Sequence, residues 1–205
     1  SFVAACQRGL DELAEAAHGI AMLMGHPAPA QAVAHTLDEH AFQQPLLNAL
    51  SLLRDGVVEI RYAKHALPNY GVFDEKRYFT PGTDAKVIDV GGVRIGLLIC
   101  EDIWLDAPVD AACAAGAELL IVANASPWDM LKADERLSVL QRQARRRGVG
   151  IAYLNVVGGQ DDVIFDGASM LVNADGSLAA RAPSFQEALL HARFDSASGH
   201  FSTSE

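Results

Sequence analysis

The order of the predicted elements indicates a layered α/β fold with mixed sheets. Helical and strand-like patterns alternate along most of the chain. Asp-Gly pairs at 55–56 and 175–176 each separate two strand-like runs, the usual pattern of an antiparallel hairpin. The segment AELLIVANAS at 117–126 is almost continuously apolar, as strands are when other layers cover both of their faces.

The individual elements follow from local hydrophobic patterns and turn residues. Apolar side chains at helical spacing predict an amphipathic helix over 1–19, and Gly91-Gly92 joins two strands. The stretch 69–85 is irregular, and polar loops rich in aromatics often carry functional residues. The other elements expected are a strand at 20–27, a loop at 27–44, two strands within 46–68, two strands within 86–100, a short helix at 108–116, a strand at 117–126, a long helix at 130–147, a strand at 149–157 and a hairpin within 168–182.

The charge and cysteine content limit the possible partners. The 205 residues suffice for one domain with a sizeable core, and a net charge of -10 disfavours nucleic acid and anionic membranes. The basic run 142–147 ends a predicted helix, where cations complement the helix dipole. Three cysteines without paired spacing argue against disulfides, and no apolar run reaches the roughly 18 residues of a membrane helix. A cytoplasmic protein is therefore expected.

Cys100 is the first candidate for chemistry. It follows the apolar strand 95–99 and precedes a predicted helix, so it lies at a strand–turn–helix corner. The carboxyl ends of parallel strands are where α/β folds bind ligands, and a cation near a thiol lowers its pKa. An isolated cysteine is usually a small buried residue, but Glu101 and Asp102 follow at once, and burying carboxylates is costly without a partner.

A cysteine nucleophile needs a group to stabilise the oxyanion and a base. Lys64 ends a predicted strand, which would hold its side chain in place, although such a lysine is more often on the surface. None of the seven histidines lies in a Cys-His signature, and no metal motif occurs. Asp161, Asp162 and Asp166 could bind a metal, but their Gly-rich context favours ordinary turns, so no metal is expected.

Several segments together resemble one known family. They are YAKHALPNYGVFDEKRYFTPG at 62–82, RIGLLICEDIW at 94–104, NASP at 124–127, YLNVVGGQDDVIFDGAS at 153–169 and NADGSLAARAPSF at 173–185. In order and combination they resemble the nitrilase, or carbon–nitrogen hydrolase, superfamily. They are more similar still to the glutamine-hydrolysing domain of glutamine-dependent NAD synthetases, because of VGGQD and FDG.

The resemblance implies a nitrilase-like α-β-β-α sandwich with two mixed sheets. It also implies a Glu-Lys-Cys triad in which Cys100 is the nucleophile and Lys64 stabilises the tetrahedral intermediate. Glu75 matches a second glutamate that orients Lys64 and the substrate. The residues that match positions near the glutamine pocket are Tyr70, Glu101, Ser126 and Arg136.

The general base of this family lies in a Pro-Glu-Leu-like motif that the sequence lacks. Glu12 and Glu15 fall on the first predicted helix, and no proline precedes Glu39. We therefore expect 1–205 to be a single glutaminase domain without its first strand, its base and the C-terminal synthetase domain. That synthetase domain would be the main partner and would bring ATP and Mg²⁺, whereas no cofactor is expected in 1–205 itself. The superfamily often forms homo-oligomers.

The predicted reaction is hydrolysis of glutamine, which supplies ammonia for the ATP-dependent amidation of deamido-NAD. Two alternatives remain open at this stage. One is a stand-alone amidase of the same superfamily that acts on another small amide. The other is a catalytically silent domain kept for assembly or binding, which would be consistent with the missing base.

Overall fold

The computed structural model describes residues 1–30 and 45–203. The chain divides into two compact units, Ser1–Asp84 and Ala85–Glu205. A single domain over 1–205 stays a prediction. No helix of the described segments is long and apolar enough to cross a membrane.

The first unit consists of one helix and a three-stranded antiparallel sheet. Helix α1 (Phe2–Ala16) is capped by the Ser1 hydroxyl, which accepts from the Ala4 N–H, and its buried side chains pack against Leu53 of the sheet. The strands lie in the order β1-β2-β3, and β2 and β3 meet at the predicted Asp55-Gly56 turn, where both residues have positive φ. Their bounds are β1 (Ala21–Pro29), β2 (Leu46–Arg54) and β3 (Val57–Ala63).

A short 3₁₀-helix, Glu75–Arg77, lies within the irregular stretch that follows β3. The chain then returns to the sheet, because the Thr80 N–H donates to the Leu46 carbonyl at 2.7 Å. The Gly82 N–H likewise donates to the Lys64 carbonyl at 2.8 Å. The aromatic-rich loop is therefore fixed to β2 and to the end of β3.

The second unit is built on a six-stranded mixed sheet in the order β11-β10-β7-β6-β5-β4. Its three central strands, β5, β6 and β7, run parallel, and the outer ones are antiparallel to their neighbours. The elements are β4 (Val87–Val90), β5 (Val93–Ile99), a 3₁₀-helix (Cys100–Trp104), α2 (Asp106–Ala114), β6 (Leu119–Asn124), α3 (Lys132–Arg147), β7 (Gly150–Asn155), β8 (Val157–Gln160), β9 (Val163–Asp166), β10 (Met170–Val172), β11 (Leu178–Arg181), β12 (Ala192–Asp195) and β13 (His200–Thr203).

The core of the second unit lies where α2 and α3 cover the parallel strands. Leu98, Leu120 and Ile151 of the sheet pack with Val109 of α2 and Leu140 of α3, and all five are fully or almost fully buried. Because the central strands are buried, they are continuously apolar rather than alternating. This buried sheet holds the carboxyl ends of β5, β6 and β7 in fixed register.

The basic run at the end of α3 has structural partners. Arg142 pairs with Asp106 of α2 at 2.7 Å, and Arg146 and Arg147 both pair with Asp110 at 2.6 Å. These pairs hold α3 against α2. They agree with a structural role for the run at a helix C-terminus, where cations are favourable.

Most predicted helices and strands are confirmed, and the differences concern short elements. The 3₁₀-helices and the hairpins β8–β9 and β12–β13 were not predicted. Each of these segments is too short for a helical or strand-like hydrophobic period to be recognised in the sequence. Strand β1 extends to Pro29, into the range expected as a loop, since pairing with β2 stabilises it. The rest of that expected loop, 31–44, lies outside the described residues.

Candidate active site

Cys100 occupies an unusual backbone conformation directly after β5. Its φ is +46°, a left-handed value that is uncommon for a residue other than glycine. Strand β5 is paired with β4 on one side and β6 on the other, so the position of the thiol is determined by the sheet. Strained residues of this kind concentrate at functional sites, where the surrounding structure enforces them.

The two acids after Cys100 have different environments. Asp102 is completely buried, and its Oδ2 accepts a hydrogen bond of 2.9 Å from the Ile99 N–H. This bond spans Cys100 and stabilises the turn that follows β5. Glu101 is partly exposed, whereas Asp102 is not. The sequence pattern drew attention to both acids but did not separate these roles.

Lys64 and Glu75 form a close ion pair in the first unit. The Lys64 Nζ lies 2.6 Å from Glu75 Oε1, and the lysine side chain is only 1 % exposed. Its backbone is fixed as well, because the Lys64 N–H donates to the Asn48 carbonyl at 2.9 Å. A buried ammonium is stable only when paired, and this carboxylate supplies the pairing charge.

Ser126 and Arg136 lie together in the second unit. The Arg136 guanidinium donates to Ser126 Oγ, to the Ser126 and Pro127 carbonyls, and to Asp166 Oδ1 at 2.7 Å. Asn155 completes the cluster, since its Oδ1 accepts from the Ser126 N–H at 2.8 Å. Arg136 is 1 % exposed, and three of its four described hydrogen bonds hold the loop that carries Ser126, while the fourth goes to Asp166 of β9.

Tyr153 is a buried group that the sequence did not single out. It lies on β7, the third of the parallel strands. Burial raises the pKa of the Tyr153 phenol, and the neighbouring Cys100 raises that pKa further. A buried tyrosine in an apolar strand has no distinguishing pattern in one sequence, so only the folded structure brings it near the thiol.

The remaining candidate residues have clear positions. Tyr70 is exposed, and its ring makes an edge contact with Phe73 at a centroid distance of 5.9 Å. Asp161 and Asp162 form the turn between β8 and β9, and Asp166 pairs with Arg136. Within 1–30 and 45–203, no group of three His, Cys, Asp or Glu side chains is arranged to hold a metal ion.

The structure therefore brings Lys64 together with Glu75 in the first unit, and Ser126 together with Arg136 in the second. Cys100 and Glu101 belong to the second unit and Tyr70 to the first. The second unit offers a thiol at a strained turn, a group suited to attack on a carbonyl carbon. The first unit offers a buried ammonium paired with a carboxylate, a donor suited to stabilise an oxyanion.

The chain belongs to the carbon-nitrogen hydrolase family, which matches residues 8–200. Its relatives include glutamine-dependent NAD(+) synthetases. That of Xanthomonas campestris pv. campestris is 43 % identical over 186 residues, which cover 90 % of this chain and 32 % of the relative. That of Acinetobacter baylyi is 47 % identical over 148 residues, which cover 72 % of this chain and 27 % of the relative. The chain thus spans about a third of the length of these relatives.

Solved structures show the same fold. Glutamine-dependent NAD+ synthetase from Acinetobacter baumannii, in complex with ADP, has a TM-score of 0.86 and 36 % identity, covering 97 % of this chain and 36 % of that one. A mutant amidase from Nesterenkonia sp. AN1, with the acetamide moiety of fluoroacetamide bound covalently at its active-site cysteine, has a TM-score of 0.71 and 29 % identity. The match covers 88 % of this chain and 63 % of the amidase, and the predicted nitrilase-superfamily fold class is confirmed.

Proposed function

We propose that this chain hydrolyses the side-chain amide of glutamine through a covalent intermediate on Cys100. The general base takes the thiol proton and the thiolate attacks the amide carbonyl carbon. The C–N bond then breaks as the base passes that proton to the leaving nitrogen, which departs as ammonia. Water then hydrolyses the thioester, which releases glutamate and restores the thiol. Family membership, the names of the relatives and the strained backbone at Cys100 support this proposal.

The buried Lys64–Glu75 pair is the observation that carries the chemistry. An ammonium has three N–H donors, and the contact with Glu75 fixes the direction of one of them. We propose that another donates to the oxyanion that forms when Cys100 attacks. Pre-oriented donors of this kind typically contribute about 3–4 kcal/mol to transition-state stabilisation.

We propose that Tyr70, Glu101 and Ser126 line the pocket for glutamine. A partly exposed carboxylate such as Glu101 suits the substrate's ammonium group. Arg136 would act on this pocket through Ser126, because its guanidinium holds the serine loop by three hydrogen bonds. A glutamate from the family's Pro-Glu-Leu-like motif would act as the general base. Glu12 and Glu15 are exposed on α1, and Glu39 lies outside the described residues.

In the relatives, two thirds of the length lies outside the part that this chain matches. We propose that the ammonia is used by a synthetase part of that kind, which would amidate deamido-NAD with ATP and Mg²⁺. Glutamine and this synthetase part are then the proposed partners, in a protein of the cytoplasm that forms homo-oligomers.

Cys100→Ala in the full-length protein tests the nucleophile. We expect glutamine-dependent NAD synthesis to be abolished and ammonia-dependent synthesis to be retained. Cys113→Ala is the matched control, because Cys113 lies on α2 and burial raises the pKa of its thiol, which disfavours the reactive thiolate. Glutamine use at the normal rate in the Cys100 variant would contradict the assignment.

A second candidate function is amide hydrolysis on another small substrate, which the likeness to the Nesterenkonia amidase favours. A panel of glutamine, acetamide and other short amides separates the two, since the proposed function requires glutamine to be preferred. A glutamine-like electrophile with mass spectrometry tests whether any chemistry occurs. An adduct on Cys100 excludes a silent assembly domain.

A further inference from the structure

We infer that Asn48 is a positioning residue for the Lys64–Glu75 pair. This inference rests on the proposed function, in which Lys64 stabilises the oxyanion. Asn48 lies on β2, three residues into the strand, and it contacts both members of the pair.

The first contact is made by the main chain of Asn48. Its carbonyl accepts the Lys64 N–H at 2.9 Å, which continues the β2–β3 ladder by one residue beyond the last pair, Ala49 with Ala63. On its other side, the Lys64 carbonyl accepts from the Gly82 N–H at 2.8 Å. The lysine backbone is therefore fixed in both directions, and the position of its ammonium group depends on the contact with Glu75.

The second contact is made by the side chain of Asn48. Its Nδ2 donates to Glu75 Oε2 at 3.4 Å, while Glu75 Oε1 takes the Lys64 Nζ at 2.6 Å. The two oxygens of one carboxylate are thus held by different partners. A carboxylate held at both oxygens cannot rotate freely. Asn48 therefore determines the orientation of the Glu75 carboxylate, and with it the position of the Lys64 ammonium.

This contact matters because Glu75 needs support. Its side chain is 18 % exposed, whereas that of Lys64 is 1 % exposed, so water competes for the carboxylate but not for the ammonium. Glu75 lies on a 3₁₀-helix of three residues, an element too short to fix a side chain by itself. A donor on the rigid strand β2 supplies the missing constraint, in the manner of supporting groups in active sites.

The sequence shows Asn48 only as one of two polar residues, with Ser51, in the strand LLNALSLL, which is otherwise leucine and alanine. An asparagine near the start of a strand has a weak β propensity. The contact with Glu75, 27 residues later, gives a reason for an asparagine at this position.

Asn48→Ala in the full-length protein tests the inference, and Ser51→Ala is the matched control. Ser51 lies on the same strand and is completely buried, and its hydroxyl bonds to His26 at 2.8 Å rather than to Lys64 or Glu75. For Asn48→Ala we expect kcat for glutamine hydrolysis to fall about tenfold, as for loss of a hydrogen bond to a charged group, with KM within about twofold. For Ser51→Ala we expect a lower Tm and an unchanged kcat.

The pH dependence of activity in Asn48→Asp is a second test, because a purely structural role of Asn48 would not change it. Two carboxylates in such close contact do not both ionise easily, and a second charge would draw Lys64 away from the substrate. We expect this variant to lose more activity at pH 8 than at pH 6, because a rise in pH favours ionisation of both acids and removes the proton that one of them could donate. The loss in Asn48→Ala should be similar at both pH values. An equal kcat in the native protein, Asn48→Ala and Asn48→Asp would overturn the inference. A loss of activity that is explained by the fall in Tm alone would overturn it as well.

Thermal unfolding separates this inference from the proposed function. Asn48→Ala should lower Tm in the native background but not in Glu75→Ala, where the carboxylate that accepts from Asn48 Nδ2 is absent. If the native protein does not hydrolyse glutamine, the proposed function is wrong, and so is the role of Asn48 in catalysis. Additive Tm changes would overturn the contact itself, whatever the activity.

Discussion

Arg136 and Asp166 form a buried ion pair at 2.7 Å, with side chains that are 1 % and 3 % exposed. The arginine comes from α3 and the aspartate from the end of β9, so the pair joins two elements 30 residues apart. The same guanidinium holds both carbonyls of the Ser126–Pro127 segment. One charged group thereby fixes the loop that follows β6.

Asp166→Ala should therefore destabilise the protein strongly. Removing one partner of a buried pair leaves an uncompensated charge, which typically costs about 3–5 kcal/mol. Chemical denaturation measures the free energy of unfolding. The control is Asp162→Ala, an exposed turn residue for which a change within about 0.5 kcal/mol is expected. Similar values for the two variants would mean that the Arg136 pair contributes little to stability.

Gly96 and Gly9 offer a matched pair of glycine substitutions. A Cβ at Gly96, on β5, would lie 2.9 Å from Ala117 Cβ and 2.9 Å from Leu120 Cδ2, whereas one at Gly9, on α1, would meet nothing within 4 Å. Gly96→Ala should cost about 1–3 kcal/mol through overpacking. Gly9→Ala should stabilise by about 0.5–1 kcal/mol, because alanine favours the helix.

Thermal unfolding of both glycine variants measures these effects. Strand β5 carries Cys100, so Gly96→Ala should also lower the rate at which the Cys100 thiol is alkylated or acylated. An unchanged Tm for Gly96→Ala would show that Ala117 and Leu120 move aside without cost.

His26 should make stability depend on pH in the first unit. Burial lowers the pKa of His26 from its ordinary value of 6.5, the bond to the Pro27 carbonyl opposes this, and the charge of Arg61 lowers the pKa further. The folded state thus holds the neutral ring, and the unfolded state binds the proton more readily. Stability is then fully present above about pH 6.5 and is lost as the pH falls from there towards the lowered pKa of the folded state.

Tm measured between pH 7.5 and 5.5 checks this sign. The native protein should lose stability across that interval, and His26→Gln should show a smaller decrease because the titrating ring is absent. A native Tm that rises as the pH falls, or an equal decrease in both proteins, would contradict a role for His26.

Much of the fold followed from local pattern. The helical spacing of apolar residues identified α1, and the Asp-Gly pair at 55–56 located the β2–β3 turn. The continuously apolar run 117–126 identified β6 as a central strand. Short hairpins such as β8–β9 were missed, because four residues on either side of a turn do not establish a period.

The candidate site was predictable in part for a different reason. Cys100 was noticeable because a thiol and two acids follow a buried strand, and Lys64 because it ends one. Their proposed roles came from the resemblance of whole segments, not from spacing. Asn48, Asp102 and Tyr153 were not predicted as site residues, since none has a pattern that distinguishes it from an ordinary polar or core residue.

The sequence by itself determined the kind of each main element, the turns of the two Asp-Gly hairpins and the candidacy of Cys100, Lys64 and Glu75. The elements and turns depend on neighbours a few residues apart, where hydrophobic period and turn chemistry act, whereas the candidacy of Glu75 depends on the resemblance of whole segments. Only the tertiary structure decided that Asp102 closes the turn at Cys100 and that Arg136 is committed to Asp166. It alone placed Asn48 beside Glu75. Such contacts join groups distant in the chain, or involve one of several polar side chains that look equivalent in the sequence. They form only once packing and strand pairing have fixed the backbone.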